Sequence, residues 1–266
     1  MQRIISRDGT TLAYEKTGKG PAIILVGGAL SNRAAAAALA ALLAPHLTVF
    51  TFDRRGRGDS GDTAPYAVER EVEDMQALIH AAGESAFVLG HSSGAALALE
   101  AAAHGLAITK LALYEPPFVV DGSHAPMSKD FAARLSALAS SGQRGDAVAL
   151  FMTEALEIPN QEVAKMRMAP SWAGMEQVAH TLAYEFAILG DTQSGSPAPL
   201  KRWSSVTIPT LVMDGGASPA WMHNAAQALA NTLPHATRRT LEGQTHSADP
   251  AALAPVLIEF FGRSKA

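Results

Sequence analysis

The 266-residue chain contains no cysteine. This absence excludes disulfide bonds, a thiolate nucleophile and metal sites with cysteine ligands, and it is compatible with a reducing compartment. Charged residues are also scarce, at 17% of the chain, and the formal net charge is −4 without a cluster of lysine and arginine. This charge pattern argues against nucleic acid or an anionic membrane as the main partner.

Long apolar runs are absent as well. The first nine residues lack the apolar core of a signal peptide, and no apolar run approaches the length of a membrane span. Hydrophobic residues nevertheless make up 48% of the chain, which is ample material for a buried core. We therefore expect a soluble cytoplasmic protein whose partner is a small molecule. The sequence leaves monomer and homodimer open.

Short apolar segments alternate with helical patterns along most of the chain, which is typical of a mostly parallel sheet with helices on both faces. The alternation stops between residues 118 and 203, where only helical patterns occur. We predict a core formed by residues 1–117 and 204–266, with a helical insertion over 118–203. The Ser-, Gly- and Pro-rich stretch 191–199 is predicted to close the insertion as a flexible linker. The predicted strands are residues 2–6, 10–15, 22–26, 47–52, a run around 87–89, 108–114, 207–213 and 236–241.

The segment Gly90-His91-Ser92-Ser93-Gly94 follows the apolar run 87–89 and precedes a helix of small residues. This Gly-x-Ser-x-Gly pattern between a strand and a helix predicts a nucleophile elbow, a strained turn that presents Ser92. The two glycines let the strand and helix backbones approach closely. The turn also places Ser92 at a helix N-terminus, where free N–H groups stabilise a developing oxyanion.

A serine hydroxyl is a poor nucleophile at neutral pH and needs a base that accepts its proton. Of nine histidines, His246 is the best placed, since it lies in a short loop between the last predicted strand and the last predicted helix. That position brings it to the carboxyl edge of the sheet beside Ser92. His91 adjoins Ser92 but points elsewhere if Ser92 occupies the tip of the turn, so we assign it a structural role. No pair of histidines has the spacing of a metal site.

Together these elements resemble the α/β-hydrolase superfamily over nearly the whole chain. The resemblance rests on four motifs, at residues 27–29, 53–61, 90–94 and 243–246. It implies a core of about eight strands, a helical cap inserted after the sixth, and the chain order nucleophile, acid, histidine. The expected oxyanion hole combines the backbone N–H of Ser93 with that of Gly28 or Ala29.

The acid is where this sequence departs from the common pattern. Most relatives carry an aspartate just after the seventh strand, and Ser218 stands at that place here. A hydroxyl lacks the negative charge that stabilises the imidazolium. We favour Glu115, which ends the sixth strand before two prolines, and Asp214 is the alternative. Some members, including zearalenone lactonase, resemble this arrangement in using a glutamate after the sixth strand.

The expected function is hydrolysis of a carboxylic ester or lactone by Ser92, His246 and Glu115 through an acyl-enzyme, without metal or cofactor. Amide, thioester and carbon–carbon bond hydrolysis stay open. Two other classes remain, a non-hydrolytic ligand-binding receptor and a lyase that uses the same Ser/His pair. The arginines of loop 53–61 fit no phosphate-binding motif and favour a structural turn held by Arg/Asp pairs. Eight side chains of the insertion either line a hydrophobic pocket or form the cap core: Met152, Met166, Met168, Trp172, Met175, Tyr184, Phe186 and Trp203.

Overall fold

The computed structural model describes residues 1–262, which contain one eight-stranded sheet. The strands are β1 (Gln2–Ile5), β2 (Thr11–Thr17), β3 (Ala22–Val26), β4 (Thr48–Phe52), β5 (Ala86–His91), β6 (Ile108–Tyr114), β7 (Thr210–Gly215) and β8 (Ala236–Leu241). Their order across the sheet is β1-β2-β4-β3-β5-β6-β7-β8. Strand β2 pairs antiparallel with β1 and β4, and every other pairing is parallel. The predicted α/β-hydrolase architecture is thus confirmed.

The α-helices within residues 1–262 are α1 (Ala37–Leu43), α2 (Val68–Ala82), α3 (Ser93–Ala103), α4 (Phe131–Ser140), α5 (Arg144–Leu150), α6 (Asn160–Arg167), α7 (Trp172–Gln177), α8 (Leu182–Leu189), α9 (Ala220–Thr232) and α10 (Pro250–Gly262). Helices α1, α2, α3, α9 and α10 cover the two faces of the sheet. Successive residues of β3 point to opposite faces, as the period of a strand requires. Ile24 packs in the layer with α2, α3 and α9, whereas Ile23 packs in the layer with α1 and α10.

Helices α4 to α8 all lie between β6 and β7, within the range predicted as an insertion. Their side chains form an apolar cluster that includes Phe131, Leu135 and Leu182, whereas Ile188 and Leu189 of α8 belong to the core cluster that contains α3. Ala29 and Leu30, in the loop after β3, pack against this cluster. The insertion is therefore seated on the loop that follows β3. The division into a core and a cap at the stated residues stays a prediction, and residues 263–266 of that core lie outside the described residues.

The segment 191–199 differs from the expected flexible linker. It contains a 3₁₀ turn over Gly190–Gln193, and a second one begins at Ala198. Val119 donates its N–H to the Thr192 carbonyl at 2.9 Å and accepts the N–H of Gly195, also at 2.9 Å. The segment is thus held by backbone hydrogen bonds to a distant part of the chain. None of the helices within residues 1–262 is long and apolar enough to cross a membrane.

Candidate active site

Ser92 sits on the turn between β5 and α3 with φ of 57° and ψ of −130°. A positive φ is strained for a residue with a side chain, and such strain is concentrated at functional sites. The flanking glycines make the turn sterically feasible. A Cβ atom on Gly90 would lie 2.5 Å from the Cα atom of Ala95, and one on Gly94 would lie 2.4 Å from the carbonyl oxygen of Val26. The local geometry is that of the predicted nucleophile elbow.

Glu115 and His246 are in direct contact, with Oε2 of the glutamate 2.7 Å from Nδ1 of the histidine. Glu115 is fully buried, and its Oε1 accepts the backbone N–H of Gly215 at 2.8 Å. Burial raises the pKa of Glu115, but the contacts with His246, with the side chain of Ser218 and with the Gly215 N–H lower it more, to below its usual 4.5. The carboxylate is therefore ionised at neutral pH and accepts a hydrogen bond from Nδ1–H of His246, so that Nε2 carries no proton and is free to act as a base.

Asp214, the alternative acid, has other partners. Its two oxygens accept hydrogen bonds from Nε and Nη2 of Arg238 at 2.8 and 2.9 Å. Nδ1 of His223 lies 2.5 Å from the same carboxylate, and Thr240 lies 3.1 Å away. Of the two carboxylates that the sequence offers, Glu115 is the one in contact with His246.

Two side chains form hydrogen bonds with the main chain around His246. The hydroxyl of Tyr114 donates to the carbonyl of Thr245 at 2.6 Å, and Nε2 of His91 lies 2.9 Å from the carbonyl oxygen of His246. Burial and the neighbouring His246 lower the pKa of His91 to about 4. His91 is therefore neutral at pH 7, and its Nε2–H donates a hydrogen bond to the carbonyl of His246. The sequence predicted a structural role for His91 without naming a partner, and in the structure this side chain holds the loop of His246.

Gly28 lies directly against the nucleophile turn, since a Cβ atom there would come within 2.7 Å of the Cβ atom of Ser92. The carbonyl of Gly28 accepts two hydrogen bonds, from Nη1 of Arg57 at 2.6 Å and from the hydroxyl of Ser31 at 2.7 Å. In a planar trans peptide the N–H of Ala29 points away from that carbonyl. Ser93 begins α3 directly after Ser92, and Gly28 lies against Ser92 with Ala29 next to it in the chain. The residues predicted to form the oxyanion hole therefore lie close together.

A cavity of about 440 Å³ opens at these residues, and most of its lining is apolar. Ser92 and His246 form one wall, and Phe151 and Leu156 are the side chains that the insertion contributes. None of the eight insertion side chains considered from the sequence lines this cavity. Trp172 and the rest of the buried members belong to the packed interior of the protein, whereas Met168 is 86% exposed. The sequence left both roles open for these eight side chains, because helical periodicity does not distinguish a pocket wall from a packed core.

A sequence model of the Alpha/beta hydrolase family matches residues 23–256. The chain belongs to this family. A solved α/β hydrolase from Sphaerobacter thermophilus DSM 20745 is 58% identical, covers 98% of this chain and 100% of its own, and superposes with a TM-score of 0.91. An N-formylmaleamate deformylase from Pseudomonas putida is 37% identical over 130 residues, which are 47% of this chain and 48% of the deformylase. The match thus spans about half of that relative. The enol-lactonase of Burkholderia xenovorans LB400, 21% identical with 98% of this chain and 100% of its own covered, shares the fold with a TM-score of 0.72.

In this α/β hydrolase the charged side chains near the site pair with one another. Arg55 forms two contacts of 2.7 Å with Asp74 and one of 2.9 Å with Asp8, so the predicted Arg/Asp pairing holds part of loop 53–61. Arg54 and Arg57 pair with glutamates instead. Among residues 1–262, no group of three or more His, Asp or Glu side chains is arranged to hold a metal ion.

Proposed function

We propose that this α/β hydrolase cleaves carboxylic esters or lactones of small, fairly hydrophobic molecules through Ser92, His246 and Glu115. The observation that carries the proposal is the 2.7 Å contact between Nδ1 of His246 and the buried carboxylate of Glu115, beside a cavity that also exposes Ser92. A histidine oriented by a carboxylate, next to a serine on a strained turn, is the arrangement that activates a hydroxyl. Membership of the hydrolase family supports the same conclusion.

The proposed reaction has two halves. Nε2 of His246 takes the proton of the Ser92 hydroxyl as its oxygen attacks the substrate carbonyl, and the negative charge of the tetrahedral intermediate meets the backbone N–H groups of Ser93 and of Gly28 or Ala29. The carbon–oxygen bond to the alcohol then breaks, and His246 gives its proton to the departing oxygen. A water molecule, deprotonated by His246, attacks the acyl-serine and releases the carboxylic acid.

The lining of the cavity supports a substrate with a large apolar part. Beside the reacting groups the walls come from α1, α10 and the insertion, including Leu39, Leu253 and Phe151. Burial of apolar surface stabilises a bound ligand by about 25 cal/mol per Å². Such a pocket favours an aliphatic or aromatic acyl or alcohol group over a highly charged one.

A second candidate is hydrolysis of an amide, because one relative of 37% identity over half of the chain is named a deformylase. The same triad performs this reaction when His246 protonates a departing nitrogen instead of an oxygen. A matched pair of substrates separates the two candidates. We expect the kcat/KM of a p-nitrophenyl butyrate to exceed that of the corresponding butyryl anilide, and a reversed order favours the amidase.

The proposal is tested with a fluorophosphonate probe, followed by mass mapping of the labelled peptide. We expect one label per chain on Ser92, no label in Ser92→Ala, and greatly slowed labelling in His246→Ala. Ser247→Ala is the matched control, since Ser247 lines the same cavity and has no part in the proposed chemistry. A folded protein that takes no label would contradict the proposal and favour a ligand-binding receptor. Product formation without an acyl-enzyme would favour a lyase.

A further inference from the structure

Arg54 and Arg57 form a buried charge cluster that the proposed triad does not use. Both are only 2% exposed. Arg54 makes two contacts of 2.7 Å with Glu71 of α2, and its Nη1 lies 3.0 Å from Glu185 of α8. Arg57 pairs with the other carboxylate oxygen of Glu185. Two positive and two negative charges balance one another, which is the condition under which buried ions are tolerated.

Each arginine also donates to a carbonyl of the loop after β3. Nη1 of Arg57 lies 2.6 Å from the carbonyl oxygen of Gly28, and Nη1 of Arg54 lies 3.2 Å from that of Gly27. Hydrogen bonds from a charged donor are stronger than those between neutral groups. Because the peptide is planar, a donor that fixes the Gly28 carbonyl also fixes the direction of the Ala29 N–H. The charge on Arg57 further polarises that peptide.

The position of this peptide matters to the nucleophile. A Cβ atom on Gly28 would lie 3.2 Å from Oγ of Ser92, so the loop and the reacting hydroxyl are neighbours. An oxyanion hole works by donors that are already aimed before the charge develops. A small rotation of the Gly28–Ala29 peptide therefore changes the rate of the chemical step more than it changes the binding of substrate.

We infer that Arg57 is a positioning residue, which holds the Gly28–Ala29 peptide in the orientation that the oxyanion requires. Glu185 in turn holds Arg57, so a helix of the insertion takes part in shaping the oxyanion hole. The inference rests on the proposed function and adds residues to it. It makes the insertion part of the catalytic geometry as well as a wall of the cavity.

Arg55 offers a matched control for this inference. It belongs to the same loop, is 1% exposed and pairs with Asp74 and Asp8. Its remaining contact is with the carbonyl of Arg70 in α2, away from the Gly27–Gly28 peptides. Loss of its guanidinium disturbs a buried ion pair of the same kind without releasing the Gly28 carbonyl.

The experiment compares Arg57→Lys with Arg55→Lys in the full chain. A lysine keeps the charge but lacks the planar fork that reaches two partners at once. We expect Arg57→Lys to lower the single-turnover acylation rate constant for p-nitrophenyl acetate by about 10- to 100-fold, with the ester's dissociation constant changed less than about threefold. The affinity for a trifluoromethyl ketone, which forms a tetrahedral oxyanion on Ser92, falls by the same factor. Arg55→Lys lowers the thermal stability and leaves both values within about threefold.

The inference is overturned if the two variants match in acylation rate and ketone affinity, or if Arg57→Lys weakens ester binding alone. Should Arg57→Lys fail to fold, Ser31→Ala decides the question, because Ser31 holds the same carbonyl and its removal leaves no buried charge. We expect about a three- to tenfold loss of acylation rate and a matching loss of ketone affinity. Unchanged values would overturn the inference. A wild-type protein that the fluorophosphonate does not label refutes the proposed function itself, which is a distinct result.

Discussion

Replacing Glu115 with glutamine tests the proposed acid with the smallest change in shape. The Gly215 N–H donates to Oε1 of Glu115, and Nδ1 of His246 lies 2.7 Å from Oε2. In Glu115→Gln the amide oxygen must face the Gly215 N–H, because the opposite orientation sets two donors against each other. The NH2 group then faces Nδ1 of His246. That histidine is forced into the tautomer with its proton on Nε2, and it can no longer accept the proton of Ser92.

The expected loss follows from this wrong tautomer together with the lost negative charge. We predict that Glu115→Gln lowers kcat/KM for p-nitrophenyl butyrate by about 10³- to 10⁴-fold, which corresponds to about 4–5.5 kcal/mol of transition-state stabilisation. The fluorophosphonate labelling rate falls in parallel. Thermal unfolding of the variant shows whether the loss is catalytic, since an unfolded protein would lose activity trivially.

Asp214→Asn is the matched control for the acid. Its carboxylate binds Arg238, His223 and Thr240, so the variant costs about 1–3 kcal/mol of stability through unpaired buried donors. We expect its kcat/KM to stay within about threefold of the wild type. A Glu115→Gln enzyme whose kcat/KM stays within tenfold of the wild type would refute the reasoning. A larger loss of kcat/KM in Asp214→Asn than in Glu115→Gln would assign the role of the acid to Asp214.

Two further changes test the surroundings of the triad. The pKa of His91 is about 4 in the folded protein and 6.5 in the unfolded chain. Between these pH values the unfolded chain binds a proton at this histidine that the folded protein does not bind. The free energy of unfolding therefore falls as the pH drops. The His91 ring is only half-buried. His91→Asn keeps a donor to the His246 carbonyl but has no group that titrates in this range. We predict that it reduces the loss of unfolding free energy between pH 7 and 4.5 by about 2 kcal/mol, measured by urea titration at each pH. An equal loss in both proteins would contradict the assignment. Ala36 lines the cavity and Ala38 does not, so Ala36→Phe lowers the rate on octanoyl relative to acetyl p-nitrophenyl esters whereas Ala38→Phe leaves that ratio unchanged. Equal octanoyl-to-acetyl rate ratios in the two variants would show that the acyl chain does not bind in this cavity.

Local patterns were sufficient to predict most of the fold. The strands at Ala22–Val26, Ile108–Tyr114 and Ala236–Leu241 have the same bounds in the structure as in the sequence analysis, since apolar runs between turn residues define them clearly. The predicted strand 207–213 begins three residues later, at Thr210. Pro209 explains the shift, because proline has no N–H to donate to a neighbouring strand.

The contacts that join distant segments were not visible in the sequence. The pairing of Arg57 with Glu185 spans 128 residues, and no local signal connects the two. The hydrogen bonds between Val119 and the stretch 191–199 are likewise long-range, so a composition typical of a linker gave the wrong expectation. Ser92 and His246 were recognisable because each follows the carboxyl end of a strand, Ser92 directly and His246 in the loop after β8, and the topology brings these ends together.

The register of the sheet explains how a glutamate on β6 reaches the histidine. His91 pairs with Tyr114 between β5 and β6, so the next residues along each strand, Ser92 and Glu115, leave the sheet side by side. Both have positive φ angles, 57° and 46°, and each is therefore a strained position. Adjacent parallel strands thus present the proposed nucleophile and the proposed acid at one edge, and His246 joins them from the loop after β8. A carboxylate at the end of β6 reaches Nδ1 of His246, and this leaves position 218 after β7 free to carry a serine.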